Sequence, residues 1–220
     1  MRNNFTFKKK VALINKVLSD KLLKEFDRIS LDSRYETRLS NIHHLENNDL
    51  LNKPLLLSLL QEIKKSFQLI TGFNDLNFKK LWLVKSLSDN SKKDVLPYIP
   101  HIDKDRYLKA MVYLHDVTID HGPIHIGEAK NTSFIEQKRV NLPKNYKSKN
   151  LNTIDEYDLK TNLIPIIGKA GDVVFFDTNT PHKAGVIKKN YFRKVLRFDF
   201  ERPFFNPKYS FLNRLINKIK

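Results

Sequence analysis

Apolar positions at steps of four and three mark one stretch of this chain. Leu56, Leu60, Ile63, Phe67 and Ile70 fall on one face of a helix. Asn52 and Pro54 stand where such a helix begins, and Gly72 stands where a left-handed C-terminal cap belongs. Upstream, residues 5–18 read as a short strand and its connection. Ser19 or Asp20 then caps a second helix, with Leu22, Phe26 and Ile29 on one face. From residue 78 onward the period drops toward two. Strands are expected over Lys80–Lys85, Tyr98–Asp103, Leu108–Leu114, Ile124–Ile126, Leu163–Ile167, Asp172–Asp177 and Phe192–Phe200, punctuated by turns at His121-Gly122-Pro123 and Gly168–Gly171. Helices first and many strands afterwards indicate an α+β protein with a mainly β core, a sandwich or barrel.

A long polar stretch, residues 136–160, interrupts the strands. A connection of that length in a compact domain is a lid or binding loop, or disordered chain. The expected organisation is one structural domain in three parts: residues 1–77 as an N-terminal strand and helices packed on the core, residues 78–202 as the β core with a lid-like loop at 128–160, and residues 203–220 as a basic amphipathic tail. In that tail Phe211, Leu212, Leu215, Ile216 and Ile219 share a helical face opposite Arg214, Lys218 and Lys220. It reads as a terminal helix packed on the domain, the alternative being weak peripheral contact with a membrane surface.

Composition narrows the chemistry. The 220 residues contain no cysteine, which removes disulfides, thiolate metal sites and cysteine nucleophiles, and leaves His, Asp and Glu as ligands. The formal charge of +16 either marks a preference for anionic partners, including small-molecule substrates, or reflects a compositional bias toward Lys, Asn and Ile. No long Lys/Arg run or nucleic-acid motif accompanies it, so nucleic acid is not expected as a partner. The basic start has an apolar run of only Val11–Ile14, too short for a signal-peptide core, and no apolar run approaches the ~20 residues of a membrane span. A soluble, cytoplasmic protein is expected; nothing in the chain sets its oligomeric state.

The stretch P-Y-I-P-H-I-D, residues 97–103, holds the first candidate chemistry. On a strand, residues i and i+2 point the same way, so His101 and Asp103 can aim an imidazole and a carboxylate at one point. Asp105 lies too far along to share it. A third donor is available at His182, where G-K-A-G-D-V-V-F-F-D-T-N-T-P-H delivers a histidine from an apolar strand to a loop. Two histidines and one carboxylate on one face of an iron ion leave three positions open, as non-haem Fe(II) oxygenases require. The other histidines fit less well: His43 and His44 read as a surface loop, His115 and Asp116 as a strand end, His121 and His125 as flanks of a turn. Y-F-R-K-V-L-R-F-D-F, residues 191–200, then places Arg193, Val195, Arg197 and Asp199 on one face and Leu196, Phe198 and Phe200 on the other. An arginine pointing inward needs an anion, which a dicarboxylate would supply.

H-I-D, then Y-L-H-D-V-T-I-D-H-G-P-I, then A-G-D-V-V-F-F-D-T-N-T-P-H, with Arg193 eleven residues after His182, resembles the phytanoyl-CoA dioxygenase-like family over about residues 78–202. The resemblance implies a double-stranded β-helix (jelly-roll, cupin-like) with the N-terminal helices packed on one sheet. It also implies an Fe(II)/2-oxoglutarate-dependent dioxygenase using oxygen as second cosubstrate. Its substrate would be a small molecule or a carrier- or lipid-linked intermediate, hydroxylated as 2-oxoglutarate is decarboxylated to succinate. His101, Asp103 and His182 would bind iron, and Arg193 the distal carboxylate of 2-oxoglutarate, with Arg197 as the fallback. Lys109, Met111 and Tyr113 share one side of their strand and are candidates to line the pocket. Where such proteins often carry P-G-S-H after the G-P turn, this chain reads H-I-G-E-A-K-N-T-S. Two rivals remain from other classes: a non-catalytic β-helix that binds a ligand or partner, and a cupin-like metal isomerase or epimerase.

Overall fold

The computed structural model describes residues 54–71, 76–88, 93–94, 96–131, 133, 135, 137 and 152–201, together with four N-terminal strands at 5–7, 11–14, 36–39 and 42–46. The helix expected after Ser19 or Asp20, the cap at Gly72, the side chain of Ile70, most of the polar stretch before residue 152 and the C-terminal tail lie outside the described residues.

Among the described residues, eleven strands form two antiparallel sheets. The strands are β1 (Phe5–Phe7), β2 (Val11–Ile14), β3 (Glu36–Leu39), β4 (Ile42–Glu46), β5 (Phe78–Leu87), β6 (Leu108–Tyr113), β7 (Ile124–Ile126), β8 (Ile164–Pro165), β9 (Val173–Asp177), β10 (His182–Ala184) and β11 (Phe192–Phe200). The larger sheet runs β1-β2-β9-β6-β11-β5-β4-β3, and the smaller runs β10-β7-β8. From β6 onward the chain passes from the large sheet to the small one and back, twice, which is the winding of a double-stranded β-helix. The first 46 residues add a hairpin to each edge of the large sheet, beside β9 and beside β5.

Side-chain alternation builds two cores from one sheet. Leu108, Ala110 and Val112 of β6, Val173 and Phe175 of β9, and Leu196, Phe198 and Phe200 of β11 face outward. There they meet Leu56, Leu59, Leu60, Ile63 and Phe67 of helix α1 (Pro54–Thr71). Burying each of these helix side chains contributes roughly 1.5–3 kcal/mol, more than helix propensity supplies. On the opposite side, Met111, Tyr113, Val174, Phe176 and Val195 pack against Ile124 and Ile126 of the small sheet. Both faces of β6 are therefore buried along its whole length. The predicted split of β11 into two unlike faces matches these two cores.

Two local expectations differ from the structure. His43 and His44 lie within β4 rather than in a loop, paired along β5 through backbone groups that polar side chains do not obstruct. Residues 98–103 do not form a regular strand. Pro97 and Pro100 offer no N–H to a ladder, so only isolated bridges form, from His101 to Thr153 on one side and to His182 on the other.

Candidate metal centre and anion pocket

His101 and His182 are brought together by reciprocal backbone hydrogen bonds, each N–H donating to the other's carbonyl at 2.9 Å. Their ring centroids are 4.4 Å apart. Asp103 turns in beside them: Oδ1 lies 3.3 Å from His182 Nε2 and 3.9 Å from His101 Nε2. One donor atom from each of the three falls within 4.8 Å of the others, and His101, Asp103 and His182 form the one such cluster among the described residues. Asp105 is outside it. So are His115, whose Nε2 accepts the Lys194 N–H, His121, whose Nδ1 contacts the Thr118 hydroxyl, and His125, bound to the Pro123 carbonyl.

Each imidazole is held in the tautomer a metal needs. His101 Nδ1 is 2.8 Å from the Ile99 carbonyl and His182 Nδ1 is 2.8 Å from the Thr180 carbonyl. A carbonyl only accepts, so each Nδ1 carries a hydrogen, and in a neutral ring Nε2 is left with its lone pair on the Asp103 side. Burial, reinforced by His182, lowers the pKa of His101 to about 3, so the ring is neutral at physiological pH. Burial alone would raise the Asp103 carboxyl. Lys109 is the strongest influence against it, and the group is held well below its ordinary value, as a carboxylate. Donors about 2.1 Å from a shared ion, in adjacent positions, stand about 3 Å apart. The two histidine nitrogens lie 3.3 and 3.9 Å from Asp103 Oδ1, within about 1 Å of that spacing, so these residues fit a metal ion.

The loop carrying His182 has its own brace. Arg106 grips Asp177 through Nε and Nη2 at 2.9–3.1 Å, and both side chains are buried. Asp177 Oδ1 accepts the Asn179 N–H, and its carbonyl accepts the Thr180 N–H. That turn orients the Thr180 carbonyl toward His182. Nothing in the sequence marks Arg106, because its partner Asp177 is seventy-one residues away.

Arg193 lies on β11 in the wall of a pocket of about 440 Å³ that also contains the three donors. It is 7% exposed, its Nη1 donates to the Gly122 carbonyl, and its Nε has no partner. Burial lowers its pKa, opposed by Tyr113 and Tyr98, and no carboxylate among the described residues pairs with it. A buried guanidinium with an orphaned N–H is costly unless an anion arrives. Arg197 differs. It is already paired with Asp199 at 2.6 and 2.8 Å and lies over the Trp82 ring. Of the two arginines, only Arg193 has a buried N–H without a partner and no carboxylate paired with it among the described residues. Lys109 and Met111 line the same pocket, whereas Tyr113 is buried beside it and donates to the Ile166 carbonyl.

Glycine sets the Arg193 anchor. Gly122 has φ 62°, and a Cβ there would stand 2.5 Å from the Gly185 carbonyl oxygen. Gly122→Ala is expected to cost at least about 1–2 kcal/mol from the left-handed backbone alone. Urea unfolding checks this, and a 2-oxoglutarate titration of the folded fraction should show weaker binding as the anchor moves.

The two-sheet fold is shared by solved non-heme alpha-ketoglutarate-dependent enzymes. Residues 94–195 match the family model described as phytanoyl-CoA dioxygenase (PhyH), the family that the sequence motifs resemble. Among solved structures, the epimerase SnoN in complex with Fe3+, alpha-ketoglutarate and nogalamycin RO superposes with TM-score 0.63 at 16% identity, covering 88% of this chain and 80% of its own. The carbocyclase SnoK from nogalamycin biosynthesis gives 0.61 at 15% identity, covering 88% and 80%. HygX from Streptomyces hygroscopicus, with nickel and 2-oxoglutarate bound, gives 0.56 at 14%, covering 90% and 85%. At these identities the likeness establishes the fold. No curated protein matches the sequence. No helix among the described residues is long and apolar enough to cross a membrane.

Proposed function

We propose that this protein is an Fe(II)/2-oxoglutarate-dependent oxygenase that hydroxylates a small molecule. His101, Asp103 and His182 would hold the iron, and Arg193 the distal carboxylate of 2-oxoglutarate. The observation that carries this reading is the arrangement of the three donors: two Nε2 lone pairs and one carboxylate oxygen face one point, while both Nδ1 hydrogens are committed elsewhere. Bound there with 2-oxoglutarate and oxygen, the iron supplies oxidative decarboxylation to succinate and carbon dioxide, coupled to oxidation of a substrate C–H bond.

The chain's own part is binding, orientation and exclusion of water. Arg193 offers a planar pair of donors suited to a carboxylate, at the end of the pocket anchored by Gly122. Val84, Met111, Ile124 and Val195 give the pocket apolar walls, against which an unactivated C–H bond can lie. Beyond it, an outer basin of about 660 Å³ shares Lys104, Asp105, Tyr107 and Arg197 with the inner pocket. Its lining carries five basic side chains against the carboxylates of Asp105 and Asp199. That balance favours a substrate with an anionic substituent.

Two measurements test the reading. Adding 2-oxoglutarate to the anaerobic ferrous protein should produce a visible charge-transfer band. A panel of phosphorylated and carboxylated small molecules, screened by succinate release, should then contain at least one that stimulates turnover and gains an oxygen atom from labelled oxygen gas. Failure of the band to form would remove the 2-oxoglutarate-dependent reading and leave a non-catalytic binding protein or a metal isomerase.

A further inference from the structure

Asp103 has a second oxygen, and the surroundings of that oxygen are unlike those of the first. Oδ1 faces the histidines. Oδ2 accepts a hydrogen bond from the Tyr107 hydroxyl at 2.6 Å and another from the Lys109 ammonium at 2.9 Å. Two donors account for both lone pairs of that oxygen. The direction of the Tyr107 bond is settled by a neighbour: Arg197 Nη2, which can only donate, lies 3.4 Å from the same hydroxyl oxygen, so the phenolic hydrogen points to Asp103.

Lys109 occupies an unusual place for an ammonium. It lies on the inner face of β6, between Phe176 and Tyr107, with its Nζ 5.2 and 5.4 Å from their ring centres, and it is 8% exposed. Its neighbours on that face are Met111 and Tyr113, and an apolar side chain would satisfy the packing. The carboxylate of Asp103 is the acidic group to which it is bonded.

We infer that Tyr107 and Lys109 are a positioning pair that commits Asp103 to bind metal through Oδ1 alone. The inference rests on the metal-site reading above. A carboxylate with both oxygens free can close onto a metal with two bonds and take a fourth position. With Oδ2 held by two donors it takes one. A single bond would leave positions on the ion for the chelating end of 2-oxoglutarate. Neither residue touches the reacting atoms; both act through Asp103.

The test compares wild type with Tyr107→Phe, Lys109→Met, the double variant and Lys109→Arg. Cobalt(II) is the spectroscopic probe, its affinity is measured against a competing chelator, and 2-oxoglutarate is titrated into each loaded protein. The double variant should keep cobalt affinity within about tenfold of wild type, show a changed visible band, and bind 2-oxoglutarate at least about tenfold more weakly. Lys109→Arg, which keeps a donor at Oδ2, should restore most of that loss. Tyr107→Phe removes a single hydroxyl, and should show a smaller change of the same kind if the double variant does not fold. A folded double variant with unchanged band and unchanged 2-oxoglutarate affinity overturns the inference. So does loss of cobalt from the variants alone, since the pair would then be needed to hold the carboxylate rather than to restrict it. Wild-type protein that binds cobalt no better than Asp103→Ala refutes the metal site itself, a result recognisable before any Tyr107 or Lys109 variant is made.

Discussion

Replacing His182 by alanine is expected to reduce iron-dependent succinate formation to background and to eliminate the charge-transfer band with 2-oxoglutarate. The residue supplies one of only three donors, and its Nε2 is the histidine nitrogen nearest Asp103 Oδ1, at 3.3 Å. Losing it leaves one imidazole and one carboxylate, too few to hold a divalent ion against water. The fold should survive. His182 belongs to the three-residue strand β10, and its reciprocal bonds with His101 are made by backbone groups that alanine retains. Circular dichroism and urea unfolding of the variant check that point. A folded His182→Ala protein with undiminished succinate formation would show that the ligands are elsewhere.

The second large effect is expected at Arg193. Truncating a buried, hydrogen-bonded partner of a charged ligand typically costs about 2–5 kcal/mol, or roughly 30-fold to several thousandfold in affinity. Arg193→Leu should therefore raise the dissociation constant of 2-oxoglutarate by at least about thirtyfold while leaving metal affinity near that of wild type. Arg193→Lys should fall between, because it keeps a positive charge but not the planar pair of donors. The free protein should behave oppositely. The Arg193 guanidinium is buried with an unpartnered Nε, so its replacement by leucine removes a desolvated charge and is expected to leave unfolding free energy unchanged or higher. Weaker cosubstrate binding without loss of stability distinguishes a ligand-binding arginine from a structural one. Arg197→Leu should show the reverse pattern, since that side chain is paired with Asp199 and stacked on Trp82.

The contrast between these two arginines shows what kind of information a strand pattern carries. Both lie on the polar face of β11, and alternation placed them together. Their difference arises from contacts with other elements: the Gly122 carbonyl for Arg193, and Trp82 of β5 and Tyr107 for Arg197. Asp199, two residues from Arg197, is the one partner that spacing along the strand could have suggested. The stretch around His101 gives the complementary case. Its histidine and aspartate were recognisable as donors, yet the expected strand is reduced to isolated bridges because Pro97 and Pro100 lack the N–H groups a ladder requires.

By itself the chain determined its helix α1, most strands of the β core, the two unlike faces of β11 and the residue types able to ligate a metal. Those features follow from local periodicity and from the chemistry of individual side chains, both of which are properties of neighbours in sequence. Tertiary structure alone decided that His101 and His182 bond through their backbones, that Lys109 and Tyr107 converge on Asp103 Oδ2, and that β3 and β4 extend the sheet beside β5. The bonds between His101 and His182 join residues eighty-one apart, and strands β3 and β4 carry too weak an alternation to announce themselves. A donor's direction and its second partner depend on which distant strand lies alongside, a choice made by burial of the whole sheet rather than by any local pattern.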